Sequence, residues 1–312
     1  MKLYCAVSLP HLEKTLLREH LRGIVHVFSD ELEAEQRLPE FLQSDICFGN
    51  IPPAWVGQTR RLRWLQLDSA GFGEYQQVDQ RPDLVITNLG GFYAVPVAES
   101  ALAGILALYR GMQTLTLLQG EKKWIGQALR PRLKTLFRAK VLILGGGAIG
   151  RHLIKLLEAF EAAITVFGRR PAGGVTTDPA ELDRVLPAMD VVVSCLPETE
   201  ETIGLIDERR LNLLAPHALF INVGRGSVVD EAALIALLQG EKIGGCVLDV
   251  TQREPLPPDN PLWTAPHTLL TQHTGGGFDE EHMDKVRAFL DNLERFRVGG
   301  ELLNVVELAR GY

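Results

Sequence analysis

A glycine-rich segment between two apolar runs constrains the fold of this chain more than any other feature. The strand-like run Lys140–Leu144 leads directly into Gly145, Gly147 and Gly150, which stand in the spacing G-x-G-x-x-G. An amphipathic stretch follows, and a second apolar run covers Ala163–Phe167. In a βαβ unit of this kind the glycines permit the tight turn, the approach of a pyrophosphate and close helix–strand packing. The segment therefore predicts a dinucleotide-binding site at the N-terminus of a helix.

Strand-like runs alternate with helical stretches along most of the chain, a pattern typical of mainly parallel sheets. Further strands are predicted at Lys2–Val7, Ile24–Phe28, Ile46–Phe48, Trp64–Leu67, Leu84–Thr87, Val191–Cys195, Ala218–Val223, Gly245–Val250 and Thr268–Gln272. Because 312 residues are too many for one small core, we predict two doubly wound parallel-sheet α/β domains with an interdomain cleft. Residues 1–92 plus 279–312 are predicted to form a flavodoxin-like substrate and catalytic domain. Residues 93–278 are predicted to form a Rossmann dinucleotide-binding domain.

One long apolar helix is predicted from about Val97 to Leu118. Its apolar residues surround the helix axis almost completely, which predicts burial either between domains or against a second subunit. The helix therefore suits a symmetric homodimer.

Composition and charge are those of an ordinary globular chain, with 46% hydrophobic and 23% charged residues. A net charge of −7 argues against nucleic-acid and anionic-membrane partners, and no run approaches the roughly 20 apolar residues of a membrane span. Four well-separated cysteines predict free thiols, with no disulfide and no metal site. A cytoplasmic location is the default expectation.

The end of the second strand of the βαβ unit bears on the choice of cofactor. An NAD site carries an acidic residue about 20 residues after the fingerprint, where it binds the ribose hydroxyls. Here the strand ends in Gly168, Arg169 and Arg170. The missing acid and the two cations favour a 2′-phosphate. We therefore predict NADPH, with NADH the less favoured alternative.

Three chemically capable side chains stand at or just beyond the C-terminal ends of predicted strands, where open α/β sheets place their ligands. Arg225 lies in the block Asn-Val-Gly-Arg-Gly, Glu254 precedes Pro255, and His273 closes the last apolar run. A guanidinium group can clamp a carboxylate, and an acid beside a histidine can keep the imidazole protonated for donation to a carbonyl.

Taken together, these segments resemble the D-isomer-specific 2-hydroxyacid dehydrogenases over essentially the whole chain. Within that family the chain is most similar to the bacterial NADPH-dependent glyoxylate/hydroxypyruvate reductases. The narrower likeness depends on the turn at 168–170, the segment from Arg253 through Trp263 and the final residues Ala309–Tyr312. It implies reduction of a small 2-oxo acid to the 2-hydroxy acid.

The resemblance also implies roles for individual residues. His273 would be the proton donor in reduction, with Glu254 as its partner, and Arg225 would bind the substrate carboxylate and polarise its carbonyl. The backbone N–H groups of Ala70 and Gly71 would hold the same carboxylate. Further cofactor contacts are predicted at Ala148, Ile149, Leu196, Pro197, Val223 and Asp249. For Asp249 a purely structural role is equally favoured.

Two departures from the family pattern leave the substrate open. Gln272 replaces the proline that usually precedes the histidine, and three glycines at 275–277 replace a more apolar segment. Other superfamily activities, on phosphoglycerate or phosphite, therefore remain alternatives, whereas Glu254 disfavours formate. A nucleotide-sensing binding protein on the same fold is the alternative from a different class.

Overall fold

The computed structural model describes residues 1–79, 81–168, 175–176 and 178–308, without the side chains of residues 175 and 176. The chain divides into two compact units, one made of Met1–Tyr93 with the segment from Phe278 onward, and the other of Ala94–Gly277. These divisions lie one residue from the boundaries predicted after residues 92 and 278. Each unit contains one parallel sheet with helices, so the predicted fold class of two parallel-sheet α/β domains is confirmed.

The first unit contains a five-stranded sheet in the order β2-β1-β3-β4-β5, and all its pairings are parallel. This is the flavodoxin-like strand order. Its strands are β1 (Lys2–Cys5), β2 (Val25–Phe28), β3 (Ile46–Phe48), β4 (Trp64–Gln66) and β5 (Val85–Thr87). Its helices are α1 (His11–His20), α2 (Ala34–Leu42), α3 (Pro53–Val56) and α10 (Glu281–Arg297), with 3-10 turns at Ser29–Glu31 and Gly73–Tyr75.

Alternate residues of these strands enter two separate cores, because successive side chains of a strand point to opposite faces. Leu3 belongs to a core that includes residues of α1 and α10, whereas Tyr4 belongs to the core on the other face with Phe41 of α2. On the first face, Phe289 of α10 stacks on Phe48 with ring centroids 4.4 Å apart. Burial on both faces explains why the strands are almost continuously apolar.

The second unit contains a seven-stranded parallel sheet in the order β12-β11-β10-β9-β6-β7-β8, which follows the Rossmann arrangement. Its strands are β6 (Lys140–Leu144), β7 (Ala163–Phe167), β8 (Val175–Thr176), β9 (Val191–Ser194), β10 (Leu219–Asn222), β11 (Gly245–Leu248) and β12 (Thr268–Leu270). Its helices are α4 (Ala94–Tyr109), α5 (Met112–Gly120), α6 (Ala148–Glu158), α7 (Pro179–Val185), α8 (Glu208–Leu211) and α9 (Glu231–Gln239). Its 3-10 turns are Gly126–Arg132, Leu186–Ala188, Gly226–Val228 and Pro261–Thr264.

The prediction of one continuous helix from Val97 to Leu118 is wrong. Two helices, α4 and α5, occupy this region and meet at an angle of 68°. The break lies at Gly111, whose φ of 63° is left-handed and whose N–H donates to Leu108 O at 3.1 Å. A left-handed glycine after a helix is a common C-terminal signal, so the chain turns there rather than continuing.

The two helices also differ in burial within this chain. Six residues of α4 are buried, and Gly104 approaches β11 so closely that a Cβ atom would lie 2.7 Å from a methyl group of Val247. No residue of α5 is buried within this chain. Among the described residues, no single helix is long and apolar enough to cross a membrane, and only the bent pair α4–α5 passes that test, by length and composition alone.

Candidate active site

The glycine fingerprint connects β6 to α6 and has the close contacts that a dinucleotide cradle requires. Gly145 has a φ of 106°, a conformation that L side chains rarely adopt. A Cβ atom at Gly150 would lie 2.0 Å from Gly145 O, so only glycine permits this approach of helix to strand. At Gly147, the residue before α6, an added Cβ would meet nothing within 4 Å. The turn is therefore tightly packed against the sheet but open at Gly147. This opening suits a pyrophosphate at the N-terminus of α6, whose first residues are Ala148 and Ile149.

The C-terminal end of β7 lies beside this turn. The carbonyl of Phe167 accepts a hydrogen bond from Gly145 N at 2.8 Å, and a Cβ atom at Gly168 would lie 3.3 Å from Gly146 N. Glycine at residue 168 thus places no acidic side chain against the fingerprint. The predicted 2′-phosphate contacts Arg169 and Arg170 lie outside the described residues.

The ends of β9 and β10 bring three more predicted cofactor residues to the same edge of the sheet. Val223 N donates to Ser194 O at 3.0 Å, and a Cβ at Gly224 would lie 2.3 Å from Leu196 O. Pro197 O accepts from the Thr202 hydroxyl at 2.6 Å. Since β6 and β9 are neighbours in the sheet, Leu196, Pro197 and Val223 lie at the carboxyl edge that also carries the fingerprint.

Arg225 is presented by a turn that the buried side chain of Asn222 holds together. The Asn222 amide donates to Arg225 O at 2.9 Å and accepts from Gly224 N at 3.1 Å. The half-buried guanidinium donates to Gly224 O at 2.8 Å through Nη1. Among the described residues, no carboxylate lies within ion-pair distance of Arg225. Its remaining donors can therefore bind an external anion, for which the guanidinium fork is suited.

Glu254 and His273 form a hydrogen-bonded pair, with 2.6 Å between His273 Nδ1 and Glu254 Oε2. The imidazole donates from Nδ1 because an ionised carboxylate can only accept. The other carboxylate oxygen accepts from Thr251 N at 3.0 Å, which fixes the orientation of the acid. The His273 side chain is 52% exposed, and no described residue is bonded to its Nε2 atom. The pair can therefore present a proton at Nε2.

Asp249 is bonded to the loop that carries His273. One carboxylate oxygen, Oδ1, accepts from the Thr271 hydroxyl at 2.6 Å and from Thr274 N and Gly275 N at 3.0 Å each. The carbonyl of Asp249 accepts from His273 N at 2.6 Å. These contacts favour the structural interpretation of Asp249 over a direct contact with the cofactor.

The predicted substrate loop lies in the first unit, directly after β4. Its carbonyl groups are all bonded within that unit: Ser69 O accepts from Leu89 N, Ala70 O from the Asn88 amide at 2.6 Å, and Gly71 O from the Ser69 hydroxyl at 2.7 Å. The N–H groups of Ala70 and Gly71 have no acceptor among the described residues, and both residues are exposed. The loop therefore offers two free donors to an anion.

A cavity of about 420 Å³ lies beside the His273–Glu254 pair within the second unit. Its apolar walls are formed by Leu248, Pro255, Leu256, Trp263 and Leu270. The sequence analysis assigned no role to Asn222, to Thr251 or to the wall residues Leu248, Pro255, Leu256 and Leu270. Of these residues, only Asn222 could have been identified from a local pattern. It is the first residue of the block that contains Arg225, and asparagine commonly stabilises turns.

Comparison with known proteins identifies the family to which this chain belongs. Residues 102–275 match the family model for "D-isomer specific 2-hydroxyacid dehydrogenase, NAD binding domain". A glyoxylate/hydroxypyruvate reductase A of Citrobacter koseri is 31% identical over 273 residues, 84% of this chain and 85% of the relative. Two solved structures are also similar. A D-isomer specific 2-hydroxyacid dehydrogenase family protein from Aeromonas salmonicida is 28% identical, with a TM-score of 0.85 over 98% of this chain and 99% of that one. A D-isomer specific 2-hydroxyacid dehydrogenase from Xanthobacter autotrophicus, in complex with NADPH and MES, is 27% identical, with a TM-score of 0.82 over 100% of this chain and 99% of that one.

Proposed function

Because this chain belongs to the D-isomer-specific 2-hydroxyacid dehydrogenase family, we propose that it reduces a small 2-oxo acid of the glyoxylate or hydroxypyruvate kind with NADPH. The observation that carries the proposal is the hydrogen bond of 2.6 Å between His273 and Glu254, which leaves Nε2 of the imidazole open. A histidine oriented through Nδ1 by a carboxylate is a proton donor suited to a carbonyl oxygen.

Each residue of the proposed site has a separate task. His273 donates the proton from Nε2 to the oxo group, and Glu254 stabilises the imidazolium form before that transfer. Arg225 binds the substrate carboxylate and polarises the neighbouring carbonyl. The free N–H groups of Ala70 and Gly71 are suited to bind a carboxylate. When bound, NADPH supplies the hydride that the carbonyl carbon receives.

The cofactor would be held by the turn at Gly145, Gly147 and Gly150. Its contacts would continue through Ala148, Ile149, Leu196, Pro197 and Val223 at the carboxyl edge of the sheet. Glycine at residue 168 favours NADPH, because it leaves no carboxylate to repel a 2′-phosphate or to bind a free 2′-hydroxyl. The complex of the Xanthobacter relative with NADPH supports the same choice.

The experiment that tests this proposal is a matrix of substrates and cofactors. Glyoxylate, hydroxypyruvate, pyruvate, phenylpyruvate and 3-phosphohydroxypyruvate are each assayed with NADPH and with NADH, and phosphite is assayed with NADP⁺ and NAD⁺. We expect the highest kcat/KM with NADPH and either glyoxylate or hydroxypyruvate. A preference for phosphite or for the phosphorylated substrate would instead identify one of the other superfamily activities. Tight NADPH binding without turnover of any substrate would favour a nucleotide-sensing protein.

A matched variant isolates the cofactor choice. Gly168→Asp places a carboxylate beside Gly146 N, where it repels a 2′-phosphate, so we expect the preference to move toward NADH. Gly57→Ala is the control, since a Cβ there would meet only Ala54 O, at an ordinary contact distance of 4.0 Å, and the backbone is αR. A parent protein that used NADH more efficiently than NADPH would contradict the assignment.

We also propose a homodimer in which α5 and the following turn contact a second copy. Met112, Leu115 and Leu117 of α5 are exposed, and the side chain of Trp124 is 96% exposed. Large apolar groups adjacent in sequence and open to solvent mark an interaction surface. Light scattering on the parent and on Leu117→Asp tests this proposal. We expect a dimer that the aspartate dissociates, and a monomeric parent would contradict it.

A further inference from the structure

A buried lysine lies in the first unit, on the face of α10 turned toward the end of β4. Lys285 is only 7% exposed. Its ammonium lies 2.9 Å from Glu281 Oε1 and 3.7 Å from Asp68 Oδ2. The Tyr93 hydroxyl donates to the same Glu281 oxygen at 3.1 Å. These four residues, Asp68, Tyr93, Glu281 and Lys285, are called the α10 charge cluster below.

The α10 charge cluster contacts the residue from which the substrate loop begins. Asp68 directly precedes Ser69, Ala70 and Gly71, and its carbonyl accepts from the Tyr93 hydroxyl at 3.3 Å. Its other carboxylate oxygen, Oδ1, accepts from Asn50 N at 2.8 Å. The cluster therefore bonds both the backbone and the side chain at the root of the loop.

Without Lys285, the negative charges of Asp68 and Glu281 would disfavour the binding of an anion by the substrate loop. Two carboxylates lie at the root of a loop whose free N–H groups are to bind an anionic substrate. One ammonium reduces their combined charge from two negative charges to one. In a partly buried setting this charge acts over several ångströms with little screening. Removal of Lys285 would thus leave a more negative site for a carboxylate.

We propose that Lys285 is a positioning residue that compensates the charges of Asp68 and Glu281, so that the Ala70–Gly71 loop can bind the carboxylate of a 2-oxo acid. This inference rests on the proposed function. It adds a residue that lies outside every motif used above, and it assigns to that residue an effect on substrate affinity rather than on proton transfer.

The protonation of the lysine agrees with this role. Burial alone lowers the pKa of Lys285, but hydrogen bonds to Glu281 and Tyr93 and the negative charge of Asp68 outweigh burial. The pKa of Lys285 therefore lies above its ordinary value, and the side chain stays charged throughout the neutral range.

Substitution of Lys285 tests the inference with a change in KM as the main readout. In Lys285→Met we expect KM for the 2-oxo acid to rise on the order of tenfold, the size expected for loss of one nearby charge at a partly buried site. We expect kcat to change less than threefold, because the His273–Glu254 pair is untouched. The affinity for NADPH should stay at the parental value.

The double variant Lys285→Met/Glu281→Gln separates charge from packing. It restores the single net negative charge while the glutamine oxygen can still accept from Tyr93, so we expect most of the loss in KM to be recovered. Glu281→Gln alone removes one negative charge and should lower KM, a result that does not depend on the folding of Lys285→Met. Lys14→Met is the matched control, because Lys14 also contacts two carboxylates, Asp30 and Glu31, at 2.8 and 3.3 Å.

Titration of the NADPH complexes with oxamate gives a readout that needs no turnover. Weaker oxamate binding in Lys285→Met and recovery in the double variant would support the inference, even if the parent reduced no oxo acid and the proposed function failed. An active parent whose KM and oxamate affinity are unchanged by Lys285→Met would overturn the inference alone. A double variant whose KM and oxamate affinity equal those of Lys285→Met would overturn it as well, because a purely structural role of the lysine explains that result without any effect of charge.

Discussion

Gly226→Ala is the substitution with the sharpest consequence for the proposed site, because this glycine lies between its two loops. A Cβ atom at residue 226 would stand 2.0 Å from Thr251 O and 2.1 Å from Thr251 C. Both are backbone atoms, so no side-chain rotation relieves the overlap. Real Cβ contacts essentially never fall below 3.0 Å. The turn with Arg225 and the loop with Glu254 must therefore separate by about 1 Å.

The expected loss in activity follows from that separation. A misplacement of about 1 Å can cost about 10²-fold in rate, so we expect kcat/KM for the 2-oxo acid to fall by about two orders of magnitude. The overpacking should cost about 1–3 kcal/mol in the free energy of unfolding. That change lowers the midpoint of thermal unfolding by about 2–4 °C for each kcal/mol in a domain of this size.

The assay combines steady-state kinetics, NADPH titration and thermal unfolding on Gly226→Ala and on the control Gly57→Ala. NADPH affinity should change far less than kcat/KM, because the fingerprint glycines belong to a different turn. The control should match the parent in all three measurements. A folded Gly226→Ala protein with kcat/KM within twofold of the parent would refute the assignment of these two loops to one site.

Three further predictions concern individual side chains. Arg225→Lys keeps the charge but loses the guanidinium fork, so KM for 2-oxo acids should rise and kcat/KM should fall sharply; unchanged kinetics would remove Arg225 from the site. His273→Ala should lower kcat by about 10²–10⁴-fold and leave NADPH affinity intact. Glu254→Gln should be milder, because the glutamine oxygen can still accept a hydrogen bond from the imidazole. Parental turnover in His273→Ala would exclude it as the proton donor. Cys5, Cys47 and Cys246 are buried, and burial raises the pKa of Cys5 and Cys246 to about 12 and that of Cys47 well above its ordinary value. A thiol reagent at pH 8 should therefore label none of these three before unfolding, and rapid labelling of any of them would contradict this burial.

The sheets could be predicted from sequence because their strands are buried on both faces. Such strands are short apolar runs bounded by turn residues, and the runs at Lys140–Leu144 and Ala163–Phe167 match the observed strands at both ends. The break at Gly111 was missed because a glycine inside an apolar helical pattern is often tolerated. Its left-handed conformation is accompanied by packing against Leu133 and Leu129, more than fifteen residues away, which no local pattern reveals.

For the site, as for the fold, the sequence predicted some features and missed those that depend on contacts between residues distant in the chain. Motif spacing placed Arg225 in its turn, and the resemblance paired Glu254 with His273, whose side chains meet at 2.6 Å. The role of Asp249 could not be resolved, because the groups that its carboxylate accepts from lie more than twenty residues later in the chain. Lys285 escaped notice for the same reason, since its partner Asp68 is remote in sequence.

Two departures from the family pattern, Gln272 and the glycine at residue 275, are explained by one loop. The backbone of this loop is left-handed at Gln272 and His273. Gln272 has a φ of 55°, whereas proline fixes φ near −65°, so a proline cannot adopt this conformation. Two such residues cost roughly 1–2 kcal/mol each, and Asp249 offsets that strain by accepting three hydrogen bonds from the loop and one from His273 N. A Cβ atom at Gly275 would lie 2.8 Å from the Asp249 carboxylate, which explains the glycine there. Gln272 and Gly275 therefore belong to a single loop that orients His273 toward Glu254.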